Sequence, residues 1–141
     1  VLCGGSLGPD FIGGTPDDIA GSLWCINPTT YVIEKQFMMN VADHPVKLQI
    51  NGDKSELYYL FGNDNYTGKI VKMAIGANAP NNVPLVNKTF YGLGIHTGTG
   101  DIYAGLANGF TQNGYMFRYT SAATFIDSME VGIGPNGFAF K

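Results

Sequence analysis

Charge is what this sequence has least of. Of its 141 residues only 13% are Asp, Glu, Lys or Arg, about half the share usual in soluble domains. The eight Lys and Arg are scattered singly, so no basic stripe faces a phosphate backbone and nucleic acid is not an expected partner. No window reaches the roughly 18 uninterrupted apolar residues of a membrane helix, so no membrane-spanning segment is expected. Cysteine is scarce: Cys3 and Cys25 stand alone. Two cysteines carry no disulfide framework and no zinc spacing; they read as buried small hydrophobes, with a bridge between them as the alternative. His44 and His96 are the only histidines, and with no Cys pair or Glu at ligand spacing neither metal nor cofactor is expected. No Gly-x-Ser-x-Gly elbow marks a nucleophile. The Gly-rich stretches lead into no helix, which removes phosphate-binding loops of that kind.

Glycine, aromatics and turn residues are plentiful instead: 20 Gly, seven Pro, eight Tyr and nine Phe. This mixture predicts an all-β chain of many short strands and tight turns. The length fits one domain with a core of its own. The chain opens on Val1 without a secretory signal, which reads as a processed product or a fragment.

The sequence repeats itself. Gly21-Ser22-Leu23-Trp24-Cys25-Ile26, Gly68-Lys69-Ile70-Val71-Lys72-Met73 and Gly114-Tyr115-Met116-Phe117-Arg118-Tyr119 share one Gly-x-apolar-apolar-x-apolar pattern at spacings of 47 and 46. A second marker recurs at spacings of 45, beginning at Pro45, Phe90 and Pro135. A third pairs residues 56–62 with 101–107, and Val1-Leu2-Cys3-Gly4 matches its end. Each period reads as four short strands. One unit gives 32–39, 46–51, 56–62 and 68–75, the next 84–90, 92–96, 101–107 and 114–120. Four strands in roughly 40 to 50 residues is the spacing of one β-propeller blade. The alternative is a β-sandwich of coincidental spacing. Strands apolar on both faces, such as 57–61, suit blades packed between blades, because so small a sheet cannot bury both faces alone.

The run from Tyr91 to Ala104, with GIGPNGFAF at 132–140 and GSLWCINPTTYVIEKQF at 21–37, resembles the YVTN-type propeller repeat. The combination is most similar to a family of bacterial cell-surface, lipoprotein-like propellers of unassigned function. The resemblance spans nearly the whole chain outside the 5–20 loop. It implies a propeller fold and an exported, periplasmic or cell-surface location.

The strands then divide as an outer half-blade over 1–31 with strands at 1–5 and 21–27, a blade over 32–75, a blade over 84–120 and an inner half-blade over 124–141 with strands at 124–131 and 136–141. That is about three blade equivalents, short of the about four to eight that close a ring. The expectation is a partial propeller, completed by a second copy or by missing blades, with an open three-blade unit as the remaining alternative.

Candidate site residues are few. Asp43 and His44 sit in a loop entering a strand, where a ligand-contacting imidazole and a plain turn are both readings. Asn63, with Asp64 and Asn65, offers three oxygen donors that fit either a cation or a turn. His96 reads as a strand-end residue. The loop over residues 5–20 replaces a connection of about six residues elsewhere, and long insertions at a fixed position of a repeat are where binding is placed. By strand order it shares a face with Asp43, His44, Asn63, Tyr66 and Phe110. Phe11, Tyr66 and Phe110 among Asn and Asp suit a glycan or a protein partner. The expected function is non-enzymatic binding through that loop face. The alternative is a propeller enzyme of the lyase, lactonase or quinone-dependent dehydrogenase type, with its site at the central channel.

Overall fold

The computed structural model describes all residues, 1–141. It contains no helix. Eleven strands form three open antiparallel sheets. The first holds β1 (Leu2–Cys3), β2 (Ser22–Ile26) and β3 (Ile33–Met38). The second holds β4 (Val46–Ile50), β5 (Glu56–Phe61), β6 (Gly68–Ala74) and β7 (Pro84–Phe90) in sequence order. The third holds β8 (Gly92–Ile95), β9 (Ile102–Asn108), β10 (Gln112–Tyr119) and β11 (Phe125–Val131), also in order.

The repeat is present as register. Gln49 pairs with Tyr58 as Gly94 pairs with Tyr103, and Ile50 with Leu57 as Ile95 with Ile102. Leu2 opposite Leu23, Leu60 opposite Ile70 and Gly105 opposite Met116 occupy one position in three sheets. Each of those apolar partners stands two residues after a repeat glycine.

The grouping of strands differs from the sequence expectation by one strand. Strand β3 was expected beside 46–51, yet it pairs with β2; residues 84–90 were expected to open a unit, yet β7 closes the second sheet against β6. Strand β11, expected as the first strand of an inner half-blade, is the fourth strand of the third sheet. The boundary between the second and third sheets is the single residue Tyr91. The longer 75–83 connection is a return within one sheet: Tyr59 donates its hydroxyl to the Asn81 carbonyl at 2.7 Å, and the Asn81 amide donates to the Lys72 carbonyl at 2.8 Å. The expected strand 136–141 is not a strand. That tail crosses the face of β8 and β9, with Phe138 and Phe140 against Tyr103 at 6.0 and 5.0 Å between ring centres.

Alternation along β5 explains the core. Tyr58 and Leu60 point one way, into a cluster with Ile70, Phe90, Leu93, Ile95, Ile102, Ala104 and Tyr119. Tyr59 points the other way, with Val71 and Met73, to meet Leu23 of the first sheet. The middle sheet is therefore buried on both faces, as its doubly apolar sequence requires. Each fully buried side chain of this kind contributes about 1.5–3 kcal/mol. Fourth strands lie at the periphery: six of the seven residues of β11 are exposed. Cys3 and Cys25, expected to be buried, are both exposed and unbridged.

Candidate functional site

One end of the sheets gathers the β1–β2 loop (residues 4–21), the β3–β4 loop (39–45), the β5–β6 turn (62–67) and the β9–β10 turn (109–111). The long loop is held from inside. Asp18 accepts hydrogen bonds from the backbone N–H groups of Gly8 at 2.9 Å, Gly14 at 2.7 Å and Thr15 at 3.2 Å. Its Oδ2 also lies 3.1 Å from His44 Nε2, and both side chains are closed to solvent. His44 Nδ1 faces the Gly4 carbonyl at 2.8 Å. Both ring nitrogens thus meet oxygen atoms inside the protein. The hydrogen bond to His44 is the main cause that lowers the Asp18 carboxyl to about 2; burial opposes it, and the three backbone N–H groups add to it.

This overturns the ligand-contacting reading of His44, which is 0% exposed and spends both nitrogens inside the protein. Asp43 is a turn cap: its Oδ2 accepts the Asn40 backbone N–H at 3.1 Å and the Asn40 amide at 2.9 Å. Asp64 likewise turns inward, accepting from Tyr66 N–H and the Thr67 hydroxyl at 2.7 Å each. The 63–65 run is therefore a turn that projects Tyr66. His96 caps its own turn, accepting from Gly98 and Thr99 N–H. No group of three or more His, Cys, Asp or Glu side chains stands close enough together to hold a metal.

Asn63 is brought against the long loop. Gly13 lies so close to the Asn63 carbonyl oxygen that it leaves no space for a Cβ. Gly13→Ala is expected to lift the loop from the β5–β6 turn without disturbing the sheets. Faster amide exchange confined to residues 8–18, with the strands still protected, would show this; unchanged exchange would count against the contact.

Phe11 is 81% exposed, Tyr66 62% and Phe110 52%. Tyr66 and Tyr91 line one groove of about 340 Å³ with Lys47 and Asn65. Phe110 meets Tyr91 edge to face at 4.9 Å, and the Lys47 ammonium lies 5.4 Å from the Tyr91 ring. Phe11 and Phe110 both hold φ of +56°, a left-handed conformation costing about 1–2 kcal/mol outside glycine. Sequence reasoning missed Asp18, Lys47 and Tyr91. Asp18 had a signal, in that it follows Asp17 in a loop too long to be unbraced; the other two had none, since they occupy strand-entry positions.

No protein-family model matches the chain, and no curated protein matches it at a significant level.

Proposed function

We propose that the three sheets are consecutive blades of a β-propeller, and that the loop end binds a neutral ligand, a glycan or a protein partner, without catalysing a reaction. The observation that carries the reading is Phe11: a large apolar side chain in a strained conformation, almost wholly exposed, on a loop pinned by the buried Asp18–His44 hydrogen bond. Strain of this kind persists where surrounding structure imposes it and is concentrated at binding sites. The aromatic Tyr66 and Phe110 with Asn63 and Asn65 share that end, a composition suited to sugar rings. Registers that repeat at 45 residues, and the packing of β8 on β4 and β5, support the propeller part. Export to a bacterial surface rests on the YVTN-type resemblance. A propeller enzyme needs convergent imidazoles and carboxylates open to solvent, and here His44 and Asp18 face each other at 3.1 Å with both side chains closed to solvent, which favours binding.

A glycan array probed with the intact chain tests it. Phe11→Ala or Tyr66→Ala is expected to weaken the strongest glycan signal by about tenfold, the effect of losing one anchor. Tyr31→Ala serves as the control, since Tyr31 is also 81% exposed at positive φ but sits at the opposite end, in a turn braced only by its own residues. Binding indifferent to Phe11 and Tyr66, or equally sensitive to Tyr31, sinks the reading.

A further inference from the structure

Phe11 and Tyr66, the most exposed aromatic side chains of the loop end, stand on different elements. Phe11 is at the apex of the β1–β2 loop and Tyr66 is in the β5–β6 turn. Two anchors on separate loops bind as one only when the distance between them is fixed beforehand, because every segment that must be ordered on binding subtracts from affinity.

The long loop is closed twice. At its base Ser6 and Ile19 exchange both backbone hydrogen bonds, at 3.0 and 2.9 Å. Nearer the tip, the Asp18 carboxylate takes the Gly8 N–H on the leg leading into the apex. It also takes the Gly14 and Thr15 N–H groups on the leg leading out. Between those legs the apex is wound on itself. The Phe11 N–H donates to the Gly8 carbonyl at 3.0 Å and the Ile12 N–H to Asp10 Oδ1 at 2.9 Å. The Thr15 hydroxyl lies 3.0 Å from the Ile12 carbonyl oxygen. These contacts impose the φ of +56° at Phe11, since a left-handed backbone outside glycine persists only where its surroundings over-determine it.

His44 carries the connection on to Tyr66. Its Nε2 meets Asp18 Oδ2 at 3.1 Å, and its Nδ1 meets the Gly4 carbonyl oxygen at 2.8 Å. Its own backbone N–H donates to the Gly62 carbonyl at 2.9 Å, and Gly62 opens the turn that carries Tyr66. One residue therefore touches both elements, with its side chain on the Phe11 loop and its main chain on the Tyr66 turn. Gly13 against the Asn63 carbonyl oxygen is a second point of contact between them. The Tyr66 turn is itself capped, by Asp64 on the Tyr66 N–H and the Thr67 hydroxyl. The path from Phe11 to Tyr66 thus runs through Asp18 and His44, whose side chains are closed to solvent. Buried polar networks with all their members paired rigidify what they join.

We infer that Asp18 and His44 are the positioning residues of the loop-end site: they touch no ligand, and by fixing Phe11 relative to Tyr66 they make the two aromatics a single preformed anchor. The inference rests on the binding reading for its ligand, while the positioning itself is tested without one.

Asp18→Asn keeps the shape of the side chain and one acceptor oxygen. Whichever way the amide turns, either Gly8 or the Gly14 and Thr15 pair loses its acceptor. With no ligand present, amide hydrogen exchange is expected to quicken at Phe11 and Ile12 by at least about tenfold, a local opening that leaves the strands protected. Probed with a printed array of neutral oligosaccharides, the variant is expected to lose about tenfold in its strongest signal, as for Phe11→Ala. In a Phe11→Ala background the same change is expected to cost less than about twofold, because the side chain it positions is already gone. A residue that only supports the fold would give equal losses in both backgrounds. His44→Ala is the second variant, with a smaller effect in the same direction, and it decides the matter where Asp18→Asn does not fold. Asp53→Asn is the control. Asp53 caps the β4–β5 turn at the opposite end, accepting from the Ser55 N–H at 3.0 Å and its hydroxyl at 2.7 Å, and its replacement is expected to change neither readout.

Unchanged exchange at Phe11 and Ile12 in both variants overturns the inference, whatever the array shows. So do equal losses in the two backgrounds, or an array signal that falls in Phe11→Ala and holds in Asp18→Asn and His44→Ala; in that last case the binding reading stands. Quickened exchange beside an array indifferent to Phe11 and Tyr66 upholds the bracing of Phe11 and sinks the binding reading alone.

Discussion

Asp18→Ala is expected to lower the melting temperature by roughly 10 °C and to open the β1–β2 loop to proteases. The size follows from what the carboxylate holds together: three backbone N–H groups of its own loop and the closed-off imidazole of His44. Removing it orphans the backbone N–H groups of its own loop and leaves the buried His44 Nε2 without its partner, a large loss by the usual measure of unmade buried hydrogen bonds. His44→Ala is expected to do less. Asp18 keeps its backbone donors in that variant, although the Gly4 carbonyl loses its partner. Thermal melting with limited proteolysis decides the matter. A change of less than about 2 °C for Asp18→Ala, on the scale by which stability shifts melting, shows that the loop is not braced through this pair.

The same pair sets a pH dependence. The Asp18 carboxyl is lowered from 3.8 to about 2, chiefly by the hydrogen bond from His44. The unfolded chain therefore takes up a proton at this site before the folded one does as pH falls. Its stabilising contribution is whole above about pH 4.5, declines through the window between the two values and is gone below about pH 2. Asp18→Asn is expected to flatten the melting temperature against pH across that window relative to wild type. Parallel curves would show that Asp18 titrates alike in both states.

Strand positions were legible because turn residues and alternation are local: all eleven strands fall where the pattern put them, to within a residue or two. The grouping into sheets was not legible, since a period fixes spacing and leaves its starting point free. Choosing that point meant deciding which connection leaves a sheet. The nine-residue loop before Pro84 looked like the exit, but Tyr59 and Asn81 fold it back, while the true exit is Tyr91 alone. Residues 136–141 carry a strand's pattern without a strand's partner, and pattern says nothing of where the partner stands. At the loop end, Phe11, Tyr66 and Phe110 were recognisable as apolar residues in turn-rich segments. The burial of His44 was not, because it depends on Asp18, 26 residues away.

Phe90→Ala is the substitution in the core expected to cost most, about 3–5 kcal/mol in denaturant unfolding, the range for removing a buried Phe. Phe90 is the last residue of β7 and 1% exposed, so it belongs to the second sheet by hydrogen bonding. Its ring belongs to the third by contact, edge to face with Phe117 at 5.7 Å and Tyr119 at 6.2 Å. Truncation therefore leaves a void where the two sheets meet, one residue before the chain passes between them. Phe125→Ala is the matched control: Phe125 touches the same two rings at 6.4 and 5.8 Å, but from an exposed position on peripheral β11, and it is expected to cost less than about 1 kcal/mol, the value of an aromatic pair without burial. Equal losses in the two variants would mean that the aromatic contacts, rather than the closed space between the sheets, carry the stability. A larger loss at Phe90, with one cooperative transition, follows if the second and third sheets unfold together, as a shared core on either side of Tyr91 requires.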